Sequence, residues 1–149
     1  MQDFIAFYGE AIRTAGAIFV PLGDARVSHL DLRDLAAAAV AVLTEDRHLG
    51  SSYDLSGPEA LQTSEVAEEI GSAIGRTVRY EAVPATVFES ALIDAGADPW
   101  FAAGLAELYA WIRDSGVGSQ VTPAAEQILG RRPTLFRKFA IDHRSEWLG

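Results

Sequence analysis

Apolar residues recur along this chain at the spacing of an α-helix, and several of the periodic runs end at a glycine. The first run stops before Gly16, a residue type that accepts the left-handed conformation past a helix end. The same pattern predicts further helices at 35–43, from Thr63 or Ser64 to Gly75, at 86–95, from Pro99, between 123 and 130, and after Pro133.

Three stretches of the sequence favour extended structure. The segment "AIFVPLGDARVSHL" is rich in Val, Ile and Phe and is broken by Pro21 and Gly23, which predicts two short pieces joined by a turn. The segment "SSYDLSGPEA" predicts a strand that runs into a Gly-Pro turn, and "TVRYEAV" alternates between apolar and polar residues. The predicted fold class is therefore helix-rich α+β, with three or four short strands.

Side chains that can cap helices mark several of the predicted helix starts. Asp31 or Asp34 is expected to accept the free backbone N–H groups of the helix that follows them. Thr86 and Glu89 have the spacing of a capping box. Asp98 before a proline predicts the start of a long helix that carries many aromatic residues.

Composition and charge limit the classes of function. A chain of 149 residues with 49% hydrophobic content is expected to form one domain, 1–149, with a substantial core. Its net charge of −9, with scattered basic residues, argues against a nucleic-acid partner. No apolar run approaches the ~20 residues that span a bilayer, no cysteine is present, and the three histidines are far apart. We therefore expect no membrane partner and no metal site, and a cytoplasmic location.

The order and spacing of three motifs resemble one known protein family. These motifs are the aspartate and alanine run around Asp31 and Asp34, the "YDLSGPE" strand and turn, and the "IGRTVRY" step. Together they resemble the C-terminal, substrate-side half of NmrA-like atypical short-chain dehydrogenases/reductases, especially type 2 NAD(P)H:quinone oxidoreductases. The resemblance implies the second half of a Rossmann-derived fold and covers nearly the whole chain.

One part of the family pattern is missing from this sequence. Such proteins begin with a strand, a glycine-rich turn and a helix whose N-terminus binds the cofactor pyrophosphate. The nearest glycine pair here, Gly116 and Gly118, follows a predicted helix and not a strand. We therefore expect no cofactor for this chain alone, and NAD(P)H only if an N-terminal half completes it.

His29 and Asp31 are the candidate catalytic residues. They match the position of a His-Val-Asp triplet that extended relatives carry near the substrate pocket, so the resemblance implies a place close to the substrate. An imidazole beside a carboxylate suits acid–base chemistry near neutral pH. The alternative is structural: the aspartate caps a helix and the histidine ends a strand.

Aromatic residues supply the candidate substrate pocket. The resemblance places a substrate-facing surface where the first helix meets the "RVSHL" strand, and an aromatic stripe on the long helix suits a flat, quinone-like ligand. The alternative for each of these side chains is ordinary packing in a core or an interface. The pocket residues are Phe4, Tyr8, Trp100 and Tyr109.

Three functional classes follow from the sequence. The first is a domain derived from NAD(P)H-dependent oxidoreductases that binds a small aromatic or quinone-like molecule. The second is a cofactor-independent cyclase, isomerase or hydrolase that reuses the substrate pocket. The third is a non-catalytic regulatory or binding protein. In each case the partners expected are a small-molecule ligand and either a second copy in a homodimer or a separate nucleotide-binding half.

Overall fold

The structure is a computed structural model, which describes residues 1–148. Helices dominate this range, and the strands are short. The elements are α1 Asp3–Ala15, β1 Ala17–Val20, β2 Arg26–Val27, α2 Leu32–Thr44, β3 Leu61–Gln62, α3 Thr63–Ile74, β4 Arg79–Ala82, α4 Ala85–Asp94, α5 Pro99–Ser115, α6 Ala124–Leu129, α7 Phe136–Asp142 and α8 Arg144–Leu148, with 3₁₀ turns at Asp46–His48 and Val117–Ser119.

The four strands form two separate pairs. β1 and β4 are parallel, with Ala17 opposite Arg79 and Val20 opposite Ala82. β2 and β3 are antiparallel, with Arg26 opposite Gln62. The predicted fold class, helix-rich α+β with three or four short strands, is confirmed.

Most predicted helix ends agree with the structure because local chemistry sets them. Gly16 ends α1 and Gly75 ends α3, each with the positive φ that glycine adopts at little cost. The Asp98 carboxylate accepts the first free N–H groups of α5. Asp31, and not Asp34, caps α2 and accepts from the Arg33 amide, so that helix begins three residues earlier than the alanine-rich pattern predicts.

Three local predictions are wrong. Residues 51–57 contain no strand, although "SSYDLSG" favours one. Thr86 does not cap α4, because the helix begins at Ala85, directly after a proline whose fixed φ suits a helix start. The last predicted helix is divided at His143 into α7 and α8.

The hydrophobic core lies where α1, α3, α7 and α8 meet around β1. The indole N–H of Trp147 donates to the carbonyl of Ala140, which satisfies the polar atom of the largest buried side chain. This packing buries one face of α1 in the core, and the opposite face of the helix is directed towards α4. The side chains with less than 2% exposure include Ile12, Ile18, Val66, Ile70, Phe136, Phe139 and Trp147.

Candidate functional site

Two of the predicted pocket residues, Tyr8 and Tyr109, form a directly bonded phenol pair. Tyr8 lies on α1 and Tyr109 on α5, and their hydroxyl groups share a hydrogen bond across 101 residues of sequence. Tyr8 is buried and Tyr109 is half-buried. Burial raises the pKa of both phenols above the ordinary value, so both are protonated at neutral pH.

Tyr8 also lines an apolar groove between α1 and α4. The groove has a volume of about 530 Å³ and is floored by Phe19 of β1. Glu10 and Thr14 are its exposed polar residues on the α1 side. Its apolar walls include Phe7, Ala11, Val87, Phe88, Ala91 and Leu92.

Of the predicted pocket residues only Tyr8 lines this groove; Tyr109, Phe4 and Trp100 do not. Phe4 is buried in the core, with its ring 5.8 Å from that of Tyr8 and 5.3 Å from that of Phe136. Trp100 is 84% exposed at the start of α5 and does not line the groove. The sequence reasoning missed Phe7, which is half exposed on the outer side of α1 and packs near Phe101, with ring centroids 6.4 Å apart.

The imidazole of His29 lies in an aromatic environment. Its ring centroid is 5.0 Å from that of Phe4 and 5.9 Å from that of Phe136, with edge-to-face geometry. Burial, with a smaller contribution from the N-terminal ammonium group, lowers the pKa of His29 to about 4. The imidazole is therefore neutral at physiological pH.

Asp31 does not orient that imidazole in the part of the chain that the structure describes. Its carboxylate accepts from the Gln2 amide at 2.9 Å, from the Arg33 backbone N–H at 2.8 Å and from the Arg33 guanidinium at 2.6 Å. Burial alone would raise the pKa of Asp31, but these hydrogen bonds outweigh it and lower the pKa to about 2. A catalytic role for His29 or Asp31 stays a prediction, and the geometry supports the structural alternative for Asp31.

Acid stability tests this description of His29 and Asp31. The folded pKa of His29, about 4, lies below its ordinary value of 6.5, so the unfolded chain takes up that proton first. The free energy of unfolding should therefore fall as the pH drops from 6.5 towards 4. The contribution of Asp31 is present above pH 3.8 and should be lost as the pH falls towards 2.

Thermal melts of the wild type and the His29→Phe variant between pH 2 and pH 7 measure these two steps. Between pH 6.5 and pH 4 the melting temperature of the variant should fall less than that of the wild type. Below pH 3.8 the two proteins should lose the same amount. An unchanged pH dependence in the upper range would contradict the assignment to His29.

Comparison with known proteins identifies similar sequences and folds. The chain is 36% identical over 143 residues to the NAD(P)H azoreductase of Xenophilus azovorans, covering 96% of this chain and 49% of that protein. The fold matches the NADPH-dependent quinone oxidoreductase QOR2 of Escherichia coli with a TM-score of 0.84 and 24% identity, over 93% of this chain and 50% of that one. It matches the Citrobacter triphenylmethane reductase, solved with NADP(H), with a TM-score of 0.83 and 23% identity, over 97% and 50%.

The chain thus spans about half the length of the relatives it matches. The resemblance to the C-terminal half of these reductases is confirmed, and so is its quinone oxidoreductase-like fold. No protein-family profile matches the chain. None of the helices within residues 1–148 has the length and apolar character needed to cross a membrane.

Proposed function

We propose that this chain, which corresponds to the C-terminal half of the NmrA-like reductases, forms the substrate side of an NAD(P)H-dependent reductase. The azo compounds, quinones and triphenylmethanes in the names of its relatives are extended conjugated electron acceptors. We assign an acceptor of this class to the chain. When bound, the nicotinamide nucleotide would supply hydride, and a nucleotide-binding half outside these 149 residues would hold it, because the glycine-rich turn that binds its pyrophosphate is missing from this sequence.

Unpaired backbone N–H groups in residues 52–55 support the need for that half. Residues 52–55 have the sequence of a strand, but none of their N–H groups donates to a backbone oxygen within the described range. The Thr122 hydroxyl donates to the Asp54 carbonyl, and the Ser56 hydroxyl accepts from the Thr122 amide. A segment with free backbone N–H groups can pair with a strand of another polypeptide.

The outer face of α2, which precedes this segment, supports the same conclusion. Val40 is 62% exposed and Leu43 is 85% exposed, and alanines fill the positions between the large side chains. A contiguous apolar surface of this kind marks a docking site in a soluble protein. The apolar docking face consists of Leu32, Leu35, Ala36, Ala39, Val40 and Leu43.

The position of Met1 connects this face to the start of the chain. The Met1 amino group donates to the Leu30 carbonyl at 2.8 Å, and the side-chain oxygen of Gln2 accepts from the Leu32 amide at the start of α2. A polypeptide joined ahead of Met1 would therefore begin close to this face. The unpaired N–H groups of 52–55 and the apolar docking face are the observations that carry the proposed function.

A chimeric protein tests this function directly. The N-terminal part of the Xenophilus azoreductase, which this chain does not match, would be joined ahead of Met1. We expect the chimera to oxidise NADPH in the presence of an azo dye or a quinone, and the chain alone to show no oxidation above background. A folded chimera, as judged by circular dichroism, without acceptor-dependent oxidation would contradict the proposal.

The apolar docking face provides the matched controls. Val40→Glu with Leu43→Glu should lower chimera activity at least 10-fold, because two charges would be placed in the interface between the halves. Leu148→Glu, on the half-exposed surface of α8, should leave the activity within twofold. The alternative partner for this face is a second copy of the chain, and light scattering of the chain alone tests for it. A stable dimer that dissociates in the double glutamate variant would show that this face forms a homodimer.

A further inference from the structure

One side of α5 is an apolar surface that no other element covers within residues 1–148. The helix packs on the rest of the chain through its opposite side, where Ala102 and Ala106 are buried. On the uncovered side Trp100 is 84% exposed and Trp111 is 54% exposed. A β-carbon at Gly104, between the two tryptophans, would meet no atom within 4 Å, so this part of the surface is open. The α5 outer face consists of Trp100, Phe101, Gly104, Leu108 and Trp111.

We propose that the α5 outer face joins two copies of this chain in a homodimer, with the two α5 helices antiparallel about a two-fold axis. The inference does not depend on the proposed function. It also leaves the apolar docking face of α2 unused, because α2 packs on α6 whereas α5 packs on α4.

The spacing of the face fits a two-fold contact. Trp100, Gly104 and Leu108 follow one another in four-residue steps and Trp111 follows three residues later, so the four lie in one stripe along the helix. The two tryptophans are at opposite ends of the stripe, about 16 Å apart at ~1.5 Å per residue. In an antiparallel pair Trp100 of each copy therefore meets Trp111 of the other, which gives the self-complementary contact that two-fold symmetry requires.

The exposed aromatic area is large enough to contribute to a stable dimer. Phe101 is 42% exposed, and together with Trp100 and Trp111 it exposes roughly 400 Å², taking about 150–250 Å² for each complete aromatic side chain. A standard interface buries about 800 Å² on each partner, so these three side chains supply about half of that area. Tryptophan is also among the residues that contribute most to binding energy at the centre of interfaces.

Charge favours a second copy over a polyanionic partner. Glu107 is the only charged residue between Trp100 and Trp111, and the chain carries a net charge of −9. A nucleic acid or an anionic bilayer requires Lys or Arg on the surface that binds it, and the α5 outer face has neither. A second copy requires no cation, because Glu107 lies beside the stripe and is exposed, so water can hydrate it at the rim of the contact.

Sedimentation velocity of the full chain tests the proposal. We expect a monomer–dimer equilibrium with a dissociation constant in the micromolar range. Trp111→Glu should weaken the dimer about 10-fold or more, because a carboxylate would be buried without a partner. The matched control is Ile141→Glu on α7, where the side chain is 52% exposed and the dimer should be unaffected. Circular dichroism shows that each variant is folded.

Tryptophan emission provides a second measurement of the same contact. The chain contains three tryptophans, and Trp147 is completely buried in the core of each copy. Dissociation of the dimer on dilution should therefore shift the emission to longer wavelength through Trp100 and Trp111 alone. Trp111→Glu should show no such shift on dilution.

Disulfide formation locates the contact, because the chain has no cysteine of its own. Gly104 lies close to the middle of the stripe and hence to the two-fold axis, so Gly104→Cys should give a disulfide-linked dimer under mild oxidation. The control is Ala39→Cys on the apolar docking face of α2, which should stay monomeric on a denaturing gel.

Three results would overturn the proposal. The first is a wild type that stays monomeric up to millimolar concentration. The second is a dimer that Trp111→Glu leaves intact. The third is a disulfide-linked dimer of Ala39→Cys and none of Gly104→Cys, which would place the second copy on α2.

Discussion

Replacing Gly57 by alanine is expected to be one of the most destabilising single changes in the chain. A β-carbon at this position would lie 1.9 Å from the carbonyl oxygen of His29 and 2.6 Å from its carbonyl carbon. Both are backbone atoms in a segment that Ser28 and Met1 hold by hydrogen bonds, so a side chain cannot rotate away to relieve the contact. We expect a loss of about 2–4 kcal/mol, in the upper range for overpacked sites.

Gly104 offers the matched control for this prediction. It lies within α5, and a β-carbon there would meet no atom within 4 Å. Alanine has the higher helix propensity, so Gly104→Ala should stabilise the chain by about 0.5–1 kcal/mol. Urea or thermal denaturation of the two variants measures the difference, and a Gly57→Ala variant as stable as the wild type would contradict the contact.

Local chemistry explains why the helices were predictable from the sequence. Gly16 and Gly75 end helices through a backbone conformation that few other residues adopt, and Asp98 caps the first turn of α5 through its own side chain. None of these signals depends on distant parts of the chain. The sequence therefore predicts where α1, α3 and α5 begin or end with little information about packing.

The strand predicted at 51–57 shows the limit of such reasoning. The residues have suitable side chains, but a strand is defined by backbone hydrogen bonds to a neighbour, and the described residues provide none for 52–55. β1 and β4 form because each provides the other with a partner. The predicted strand at 51–57 is therefore absent because these residues have no strand to pair with, although their side chains favour extended structure.

The candidate site was only partly predictable for a similar reason. The sequence indicates Tyr8 and Tyr109 only as aromatic residues on helices, whereas their hydrogen bond depends on how α1 and α5 pack. No signal in the sequence separates Phe7 from an ordinary surface residue, because its place in the groove depends on the position of α4 opposite it. His29 and Asp31 show the opposite case: they are close in sequence, but their side chains contact different partners.

Asp34 provides the second large predicted effect, through contacts that the sequence did not indicate. The expectation that it caps α2 would give Asp34→Ala a cost of about 1 kcal/mol. In the structure its side chain is 1% exposed and accepts from the Arg131 guanidinium and from the Thr134 backbone N–H, both at 2.6 Å. Burial alone would raise the pKa of Asp34, but these hydrogen bonds lower it below the ordinary value.

Alanine at Asp34 would leave the Thr134 amide without its acceptor and separate the 131–134 loop from α2. We expect a loss of about 2–3 kcal/mol, because the Thr134 amide loses its acceptor, whereas the half-exposed Arg131 guanidinium can be hydrated. Asp34→Asn keeps one acceptor oxygen and should recover part of that loss. Denaturant titrations at pH 7 measure the free energy of unfolding of the two variants. If Asp34→Ala lowers it by only the ~1 kcal/mol of a lost helix cap, the contacts between Asp34 and the 131–134 loop contribute little to stability.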